Sequence, residues 1–406
     1  MPWRFSLLDI RNQFPILEQG HVYLDSAATS LTPEPVLAAV SEYYRTCRAN
    51  VHRAHHPLAE VATEKYESAR EVVAEWLGTN TQDYVVVFTS GFTAGANLVA
   101  DLVNGFVDGV AVCLENHHSN ILPWCRLSTK CSEGLVTLTN TPLDNIPELI
   151  GNRIIALQSL GNVLGETWPV ARLCRQANEA GHWAFLDLAQ SASRIKHELG
   201  IWRPAFAAFS GHKIYGPTGT GALLIRRDVA DSLVGFGNRA PIGGGTVQGV
   251  DIDMTPVWAE PPALWEAGTP NLAGVEGMVA AIRWMQNIGI DNIVRHDQEI
   301  TDYLLNQLEQ IPGIKIIGAG RKTGLVSFNI AGLNPEDIAR SLGSQKIAVR
   351  AGGLCANPVL KTHATGAAVR ASIAAYTQQS DIDKFINGLQ KTISRLQGHA
   401  RATSTI

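Results

Sequence analysis

A lysine that could form an imine lies in a segment rich in glycine and hydroxyl residues, Ser210-Gly-His212-Lys213-Ile-Tyr-Gly-Pro-Thr-Gly-Thr-Gly221. A lysine amine attacks an aldehyde only when it is neutral, and a cationic, partly desolvated pocket lowers its pKa enough for this. Ser210 and His212 can face a phosphate while Lys213 reaches the aldehyde carbon. The glycines that follow let the backbone pass close to a bound group.

Further polar groups occur after other apolar runs of the same region, where strands are predicted to end. They are Thr93, His117, Asn162, Asp187 and Gln190. Singly, each has an ordinary structural explanation, such as a helix cap or a buried histidine. Open α/β sheets bind ligands beyond the carboxyl ends of their strands, so these side chains are expected at one sheet edge. A lysine, a carboxylate and phosphate donors together are what pyridoxal 5'-phosphate (PLP) requires.

Six short apolar runs would form the strands that position these groups. Several are continuous rather than alternating, which is typical of a largely parallel sheet covered on both faces. Helical patterns between them, such as Val170–Ala180, supply the crossovers. We therefore predict an α/β domain with a mostly parallel sheet between helices. The predicted strands are Tyr84–Phe88, Gly109–Leu114, Arg153–Leu157, Trp183–Leu186, Ala205–Phe209 and Gly221–Ile225.

From about residue 275 the pattern changes to that of a smaller α+β unit. Its predicted helices are Val275–Ile288, Ile290–Gln310, Pro335–Leu342 and one after Asp381, and its predicted strands are Ile314–Ile317, Gly324–Asn329 and Ile347–Arg350. We expect three parts: residues 1–20 packing on the small domain, 21–271 forming the large domain, and 272–406 forming the small domain with Cys355 and Arg370.

Composition excludes several classes of function. The 406 residues are 45% hydrophobic and 17% charged with a net charge of −4, so no basic surface for nucleic acid is expected. No apolar run has the length of a membrane span, and the N-terminus lacks a signal-peptide pattern, which predicts a cytoplasmic protein. Six cysteines without a C-x-x-C pair favour neither a metal site nor a disulfide framework.

The chain resembles a known family of PLP enzymes. The pattern Asp187-x-x-Gln190 followed by Ser210-Gly-His-Lys213-x-Tyr-Gly-Pro-Thr-Gly is similar to the class V aminotransferase group of fold type I, and closest to group II cysteine desulfurases and selenocysteine lyases. The resemblance implies a seven-stranded sheet in the large domain. Other matching blocks begin at Tyr23 (YLDSAAT), Asn50 (NVHR), His117 (HHSNILPW), Glu266 (EAGTPN), Arg350 (RAGGLCA) and Val369 (VRAS).

The resemblance implies a role for each site residue. Lys213 would hold PLP as a Schiff base, His117 would stack on its ring and assist proton transfer, and Thr269 of the neighbouring subunit would complete the phosphate site of a homodimer. The remaining cofactor contacts would come from Asp187 (pyridinium nitrogen), Gln190 (ring hydroxyl), Asn162, and Thr93, Ser210 and His212 (phosphate). The substrate would be bound by Ala28, Asn162, Arg350 and Arg370, of which Asn162 and Arg370 would hold its α-carboxylate.

The resemblance also implies that Cys355 is the nucleophile. Its thiolate would take the sulfur of PLP-bound L-cysteine, leaving L-alanine and a persulfide for a small sulfur-acceptor protein. Such a cysteine should be accessible and near positive charge, which Arg350 and Arg370 could supply. The sequence departs from the family in having Leu354 where a histidine usually precedes the cysteine, Asn116 where a glutamate precedes the histidine pair, and SGFTA from Ser90 where RGTTE is common.

Three functions remain open on the sequence. The first is a cysteine desulfurase that uses Cys355. The second is a PLP enzyme of the same class that does not need Cys355, such as a selenocysteine lyase, a cysteine sulfinate desulfinase, another lyase or a transaminase. The third is a sulfur-carrier docking scaffold without turnover, which the intact Lys213, Asp187, His117 and Arg370 disfavour.

Overall fold

The computed structural model describes residues 10–138, 146–234, 241–363 and 365–403, with side chains described as far as residue 398. The described chain divides into two units. The sheet unit comprises residues 35–159 and 168–287, and the terminal unit comprises residues 10–34, 160–167 and 288–403. The division falls after Asn287 rather than at the expected residue 271, because Leu272, Val275 and Val279 pack in an apolar cluster of the sheet unit.

Fifteen strands are present in the described residues. In chain order they are β1 Val22–Tyr23, β2 Tyr84–Thr89, β3 Gly109–Cys113, β4 Leu135–Leu138, β5 Arg153–Gln158, β6 Trp183–Asp187, β7 Phe206–Ser210, β8 Gly221–Arg226, β9 Val247–Val250, β10 Pro256–Trp258, β11 Ile314–Ile316, β12 Leu325–Ile330, β13 Ile347–Ala348, β14 Arg350–Gly352 and β15 Ala368–Ser372.

Twelve α-helices lie between them in the same residues. They are α1 Glu34–Glu42, α2 Pro57–Trp76, α3 Phe92–Leu102, α4 Leu122–Ser128, α5 Val170–Glu179, α6 Leu199–Trp202, α7 Arg227–Val234, α8 Leu272–Ile288, α9 Ile290–Glu309, α10 Pro335–Gly343, α11 Asn357–Thr362 and α12 Gln379–Thr403. None of these helices combines the length and the apolar character that crossing a membrane requires.

The sheet unit is built on a seven-stranded sheet in the order β2-β8-β7-β6-β5-β3-β4. All neighbouring strands are parallel except β8, which runs antiparallel to both β2 and β7. This confirms the predicted fold class. The six apolar runs each form a strand, whereas β4 was not predicted from its own residues. It is an edge strand in which only Leu138 is buried, so it lacks the continuous apolar run of the central strands.

Burial explains why the central strands read as unbroken apolar runs. Every residue of β3, β5 and β7 is buried. Side chains such as Ile154, Phe185 and Phe206 pack with residues of α3 and α4 in one large apolar cluster. The sheet therefore holds the carboxyl ends of β5, β6 and β7 in place, and the polar residues that directly follow those ends are fixed with them.

The terminal unit contains a four-stranded antiparallel sheet in the order β11-β12-β15-β14, together with a small parallel pair of β1 and β13. The predicted single strand Ile347–Arg350 was wrong in one respect. It divides at Val349, so that β13 pairs with β1 while β14 pairs with β15. From the N-terminal segment, Phe14 packs edge-on against Tyr376 with ring centres 4.7 Å apart, and Arg11 donates to Asp381 at 2.7 Å.

Candidate functional site

Lys213 ends a single 3₁₀ turn, Gly211–Lys213, directly after β7. The turn is tied down by a hydrogen bond from the Gly211 N–H to the Thr220 carbonyl at 2.8 Å, and the Lys213 carbonyl accepts from the Ser193 hydroxyl at 3.2 Å. A Cβ atom at Gly211 would lie 2.7 Å from the Thr220 methyl carbon, so a larger residue does not fit. The fold therefore fixes the backbone that carries the predicted imine-forming amine.

Asp187 ends β6 and is almost fully buried, with 7% of its surface exposed. Burial raises the pKa of Asp187 to about 6, although the Ala189 N–H, which donates to Oδ1 at 2.8 Å, and the nearby Lys213 ammonium act in the opposite direction. A buried carboxylate is stabilised by a cationic or N–H partner of matching geometry. The pyridinium N–H of PLP is such a partner, so this residue fits the predicted cofactor.

Two of the predicted phosphate residues, Ser210 and Thr93, lie at the start of α3. The Ser210 hydroxyl accepts from the Phe92 N–H at 2.8 Å. Gly91 precedes the helix with φ +139°, and a Cβ atom there would lie 3.1 Å from Ser210 Oγ. Thr93 is exposed in the first turn, and its hydroxyl donates to Ser119 Oγ at 2.8 Å. An anion is favoured at this end of the helix because its N–H groups and dipole point outward.

His212 and His117 of the sheet unit can each donate one N–H to a ligand when their rings are neutral. Burial, with a further contribution from Lys213, lowers the pKa of His212 to about 4, so its imidazole is neutral near pH 7 and can donate one N–H. His117 Nδ1 accepts from the Ser119 N–H at 3.0 Å, which leaves the proton of the neutral ring on Nε2. Gln190 is buried in the loop after β6. The stacking of His117 on a ring stays a prediction.

Asn116 replaces the usual glutamate with a structural amide. Its side chain is fully buried, and Nδ2 donates to the carbonyls of Ala156 at 2.9 Å and Asn120 at 3.3 Å. The adjoining Asn120 donates to the Leu157 carbonyl and accepts from Trp124 Nε1. These bonds fasten the segment of His117 to strand β5, a role that the sequence did not reveal.

Thr269 is exposed and lines a cavity of about 570 Å³ on the sheet unit. The cavity is also lined by His52 and Arg53, which belong to the block that begins at Asn50, and by backbone of Gly244 and Gly268. Neither Lys213 nor Asp187 is among the described residues that line it. Thr269 therefore lines the same cavity as the block that begins at Asn50, and its action on a neighbouring subunit stays a prediction.

In the terminal unit, Arg370 is buried at the centre of β15 with 2% of its surface exposed. Its Nη1 donates to the Asn162 carbonyl at 2.9 Å, and its Nη2 lies 3.4 Å from Asp25 Oδ1. Arg350 lies opposite Arg370 in the sheet, with Nη1 3.8 Å from Asp25 Oδ2. One carboxylate thus faces two guanidinium groups, and the remaining positive charge favours a carboxylate ligand. The sequence did not single out Asp25.

Asn162 has a polar atom that suits a ligand. Its Nδ2 donates to the Leu354 carbonyl at 2.9 Å, whereas its buried Oδ1 has no hydrogen-bond partner among the described residues. A buried amide oxygen without a partner is unfavourable, and a ligand N–H or O–H would satisfy it. Burial raises the pKa of Asp25 and outweighs the opposite influence of Arg370 and Arg350.

Cys355 lies on the surface of the terminal unit. All six cysteines are in the described residues, and Cys355 is the exposed one, whereas three are buried and two partly buried. It follows β14 in a short turn, and its neighbour Leu354 is buried. Ala28 is partly buried near β1 in the same unit. The predicted site residues thus form one group in the sheet unit and another in the terminal unit.

Comparison with known proteins identifies the class that these features define. The family model for class-V aminotransferases matches residues 22–385. A probable cysteine desulfurase of Streptomyces coelicolor is 36% identical over 95% of this chain and 97% of its own length. A solved cysteine desulfurase of Thermococcus onnurineus is 35% identical with a TM-score of 0.89, covering 97% of this chain and all of that one. The cysteine desulfurase CsdA of Escherichia coli, in an S-sulfonic acid form, is 32% identical with a TM-score of 0.86, covering 96% and 99%.

The chain therefore belongs to the class-V aminotransferase family and has the fold-type I architecture of PLP enzymes. Pyridoxal phosphate is its cofactor, and the buried Asp187, the Gly211–Lys213 turn and the N-terminal end of α3 fit that group.

Proposed function

We propose that this chain is a cysteine desulfurase that converts L-cysteine to L-alanine and collects the sulfur as a persulfide on Cys355. The observation that carries the proposal is the placement of Cys355, which is exposed on a turn whose Leu354 carbonyl is held by Asn162. The backbone carbonyl of Asn162 accepts from Arg370, the group that we propose for the substrate carboxylate. Asn162 thus contacts both the turn of the proposed nucleophile and the proposed carboxylate-binding residue.

The residues of the sheet unit would hold the cofactor. Lys213 would bind its aldehyde carbon, Asp187 would bind its pyridinium nitrogen, and Gln190 would bond its ring hydroxyl, while Thr93, Ser210 and His212 would bind its phosphate. When bound, PLP withdraws electrons from the substrate and so makes its α-proton acidic and its carbon–sulfur bond labile. His117, with a donor Nε2 in its neutral form, would move a proton at the substrate.

The residues of the terminal unit would bind the amino acid and take its sulfur. Arg370 would grip the α-carboxylate, supported by Arg350 and Ala28, and Asn162 Oδ1 would accept from a ligand N–H or O–H. The Cys355 thiolate would bond to the substrate sulfur as the carbon–sulfur bond breaks. The net change converts L-cysteine and the Cys355 thiol into L-alanine and the Cys355 persulfide, which conserves every atom and needs no external oxidant.

Two partners belong to the proposal. Thr269 and the cavity beside it would meet a second copy of the chain, giving a homodimer with a shared active site. A small protein with a reactive thiol would receive sulfur from the exposed Cys355, in the cytoplasm.

The test compares wild-type protein with Cys355→Ser in the turnover of L-cysteine with a reductant. We expect equal release of alanine and sulfide by the wild type, loss of both in Cys355→Ser, and a wild-type mass increased by one sulfur atom when reductant is omitted. Cys125→Ser, which alters a partly buried cysteine of the sheet unit, is the control and should keep full activity. Full-rate release of alanine by Cys355→Ser would contradict the proposal.

A second candidate is a selenocysteine lyase or cysteine sulfinate desulfinase, whose better leaving groups need no thiol. It is favoured by the buried, apolar Leu354 beside Cys355, which offers no proton donor where the family usually has a histidine. In this case Cys355→Ser would keep its turnover of selenocysteine or cysteine sulfinate, and wild-type turnover of L-cysteine would be the slower reaction.

A further inference from the structure

Cys355 lies in a turn of unusual backbone conformation. The turn comprises Gly353–Ala356 and is closed by a hydrogen bond from the Ala356 N–H to the Gly353 carbonyl at 2.9 Å. Its two central residues are both left-handed, with φ +51° at Leu354 and +53° at Cys355. Positive φ at both central positions is the pattern of a type I′ turn, which glycine, asparagine and aspartate normally occupy. A Cβ atom disfavours this conformation, so the surroundings must maintain it.

Two contacts maintain the turn, and the glycine at position 353 leaves room for the Asn357 side chain. The Leu354 side chain is 5% exposed and packs in an apolar cluster. The Leu354 carbonyl accepts from Asn162 Nδ2 at 2.9 Å. At Gly353 a Cβ atom would lie 2.5 Å from Asn357 Nδ2, so a larger residue there would displace the Asn357 side chain. The other members of the apolar cluster are Val163, Leu164, Ile317, Ala356, Val359, Leu360 and Ala368.

We propose that Leu354 is a positioning residue whose buried side chain anchors the turn and thereby keeps the Cys355 thiol facing outward in one place. The two central side chains of the turn differ in burial, because Leu354 is buried and Cys355 is exposed to solvent. Removing the anchor frees Leu354 and Cys355 to relax from positive φ. The inference rests on the proposed desulfurase function, because it gives Cys355 a reaction for which position matters.

The anchor also explains why leucine is suited to this position. An imidazole in the same place would be enclosed by aliphatic side chains, which disfavour its charged form. Leucine provides no proton but fills the apolar cluster. The chain therefore has a fixed nucleophile in place of a nucleophile with an adjacent acid.

The test uses Leu354→Ala with Leu360→Ala as its matched control. Both changes remove the same atoms from the same apolar cluster, but only Leu354 belongs to the turn. For L-cysteine we expect kcat of Leu354→Ala to fall about ten- to a hundredfold with KM within twofold, since small displacements of a reacting group have effects of that size. Turnover of L-selenocysteine should stay within twofold, and hydrogen exchange at the Ala356 amide should accelerate. Leu360→Ala should keep kcat within twofold.

Two more variants separate anchoring from backbone strain. Leu354→Met preserves the apolar volume and should restore kcat to within twofold of wild type. Leu354→Asn tolerates positive φ but cannot anchor in the cluster, so it should behave like Leu354→Ala. Wild-type kcat in Leu354→Asn, equal losses in Leu354→Ala and Leu360→Ala, or a parallel loss of selenocysteine turnover would each overturn the inference. If the wild type forms neither alanine nor a Cys355 persulfide from L-cysteine, the proposed function fails, whereas unchanged exchange at Ala356 in Leu354→Ala refutes the anchor alone.

Discussion

Replacing Arg370 with lysine should weaken the binding of the substrate carboxylate far more than the same change at Arg350. Arg370 is buried and uses Nη1 for the Asn162 carbonyl at 2.9 Å and Nη2 for Asp25 at 3.4 Å. A lysine ammonium is a point charge without the planar fork, so it cannot keep both contacts and also grip a carboxylate. Arg370→Lys should therefore remove at least one charge-assisted hydrogen bond from the proposed carboxylate contact.

The size of the effect follows from the environment of each arginine. A hydrogen bond to a charged group contributes about 1.5–3 kcal/mol, which corresponds to a KM for L-cysteine raised about 10- to 150-fold in Arg370→Lys. The Arg350 side chain is 45% exposed and lies 3.8 Å from Asp25, where solvent screens its charge. Exposed ion pairs contribute about 1 kcal/mol or less, so Arg350→Lys should change KM about fivefold at most.

Competitive inhibition by two ligands isolates the carboxylate. L-Alanine carries a carboxylate, whereas L-alaninamide does not, so Arg370→Lys should raise the inhibition constant of alanine and leave that of alaninamide nearly unchanged. Equal weakening of both ligands would show general damage to the site. A larger effect in Arg350→Lys than in Arg370→Lys would refute the assignment of Arg370 as the principal carboxylate-binding group.

Three further predictions concern buried charges. In cofactor-free protein, burial raises the pKa of Asp187 to about 6, above its value in the unfolded chain. The protonated carboxyl therefore contributes stability at low pH, and this contribution is lost as pH rises through 6. In thermal unfolding, Asp187→Asn should be more stable than the wild type by about 2–3 kcal/mol at pH 8 but not at pH 4, and it should bind PLP more weakly. Burial opposes the charge of His296, but Asp297 outweighs burial and raises the pKa of His296. The stabilisation by the charged imidazole is therefore complete below pH 6.5 and is lost at higher pH. In urea unfolding, His296→Gln should lower the stability more at pH 6 than at pH 8.5. Glu166→Gln should lower stability by about 2–3 kcal/mol at pH 7, because the buried Lys322 ammonium, 2.9 Å from Glu166, loses its counter-charge; an unchanged urea midpoint would contradict this.

The sheet of the large unit was readable from sequence because its central strands are buried on both faces. Continuous apolar runs predicted β2, β3, β5, β6, β7 and β8 to within a residue or two. The edge strand Leu135–Leu138 was not predicted, because a strand with one buried residue has no continuous apolar run. The predicted strand Ile347–Arg350 has a true extended pattern, but its division between two sheets depends on which partners lie beside it.

The position of the segment from Leu160 to Thr167 could not be predicted from local sequence patterns. It follows β5 and precedes α5 in sequence, yet it belongs to the terminal unit. Its contacts there are with distant residues, including the bond from Ser327 Oγ to the Val163 carbonyl at 2.7 Å and the pair of Glu166 with Lys322. Hydrophobic periodicity describes a residue's own element and contains no information about such pairings.

The sequence by itself determined the cofactor class, because a lysine predicted to form an imine in a glycine-rich segment and a carboxylate after a neighbouring strand are local features. It also marked Cys355 and Arg370 as candidates through their resemblance to known motifs. Only the tertiary structure decided how these groups are supported. The raised pKa of Asp187 comes from burial between strands, and the left-handed turn at Cys355 is maintained by Leu354 in an apolar cluster and by the amide of Asn162. Both depend on contacts between residues far apart in the chain, which form only when the chain folds.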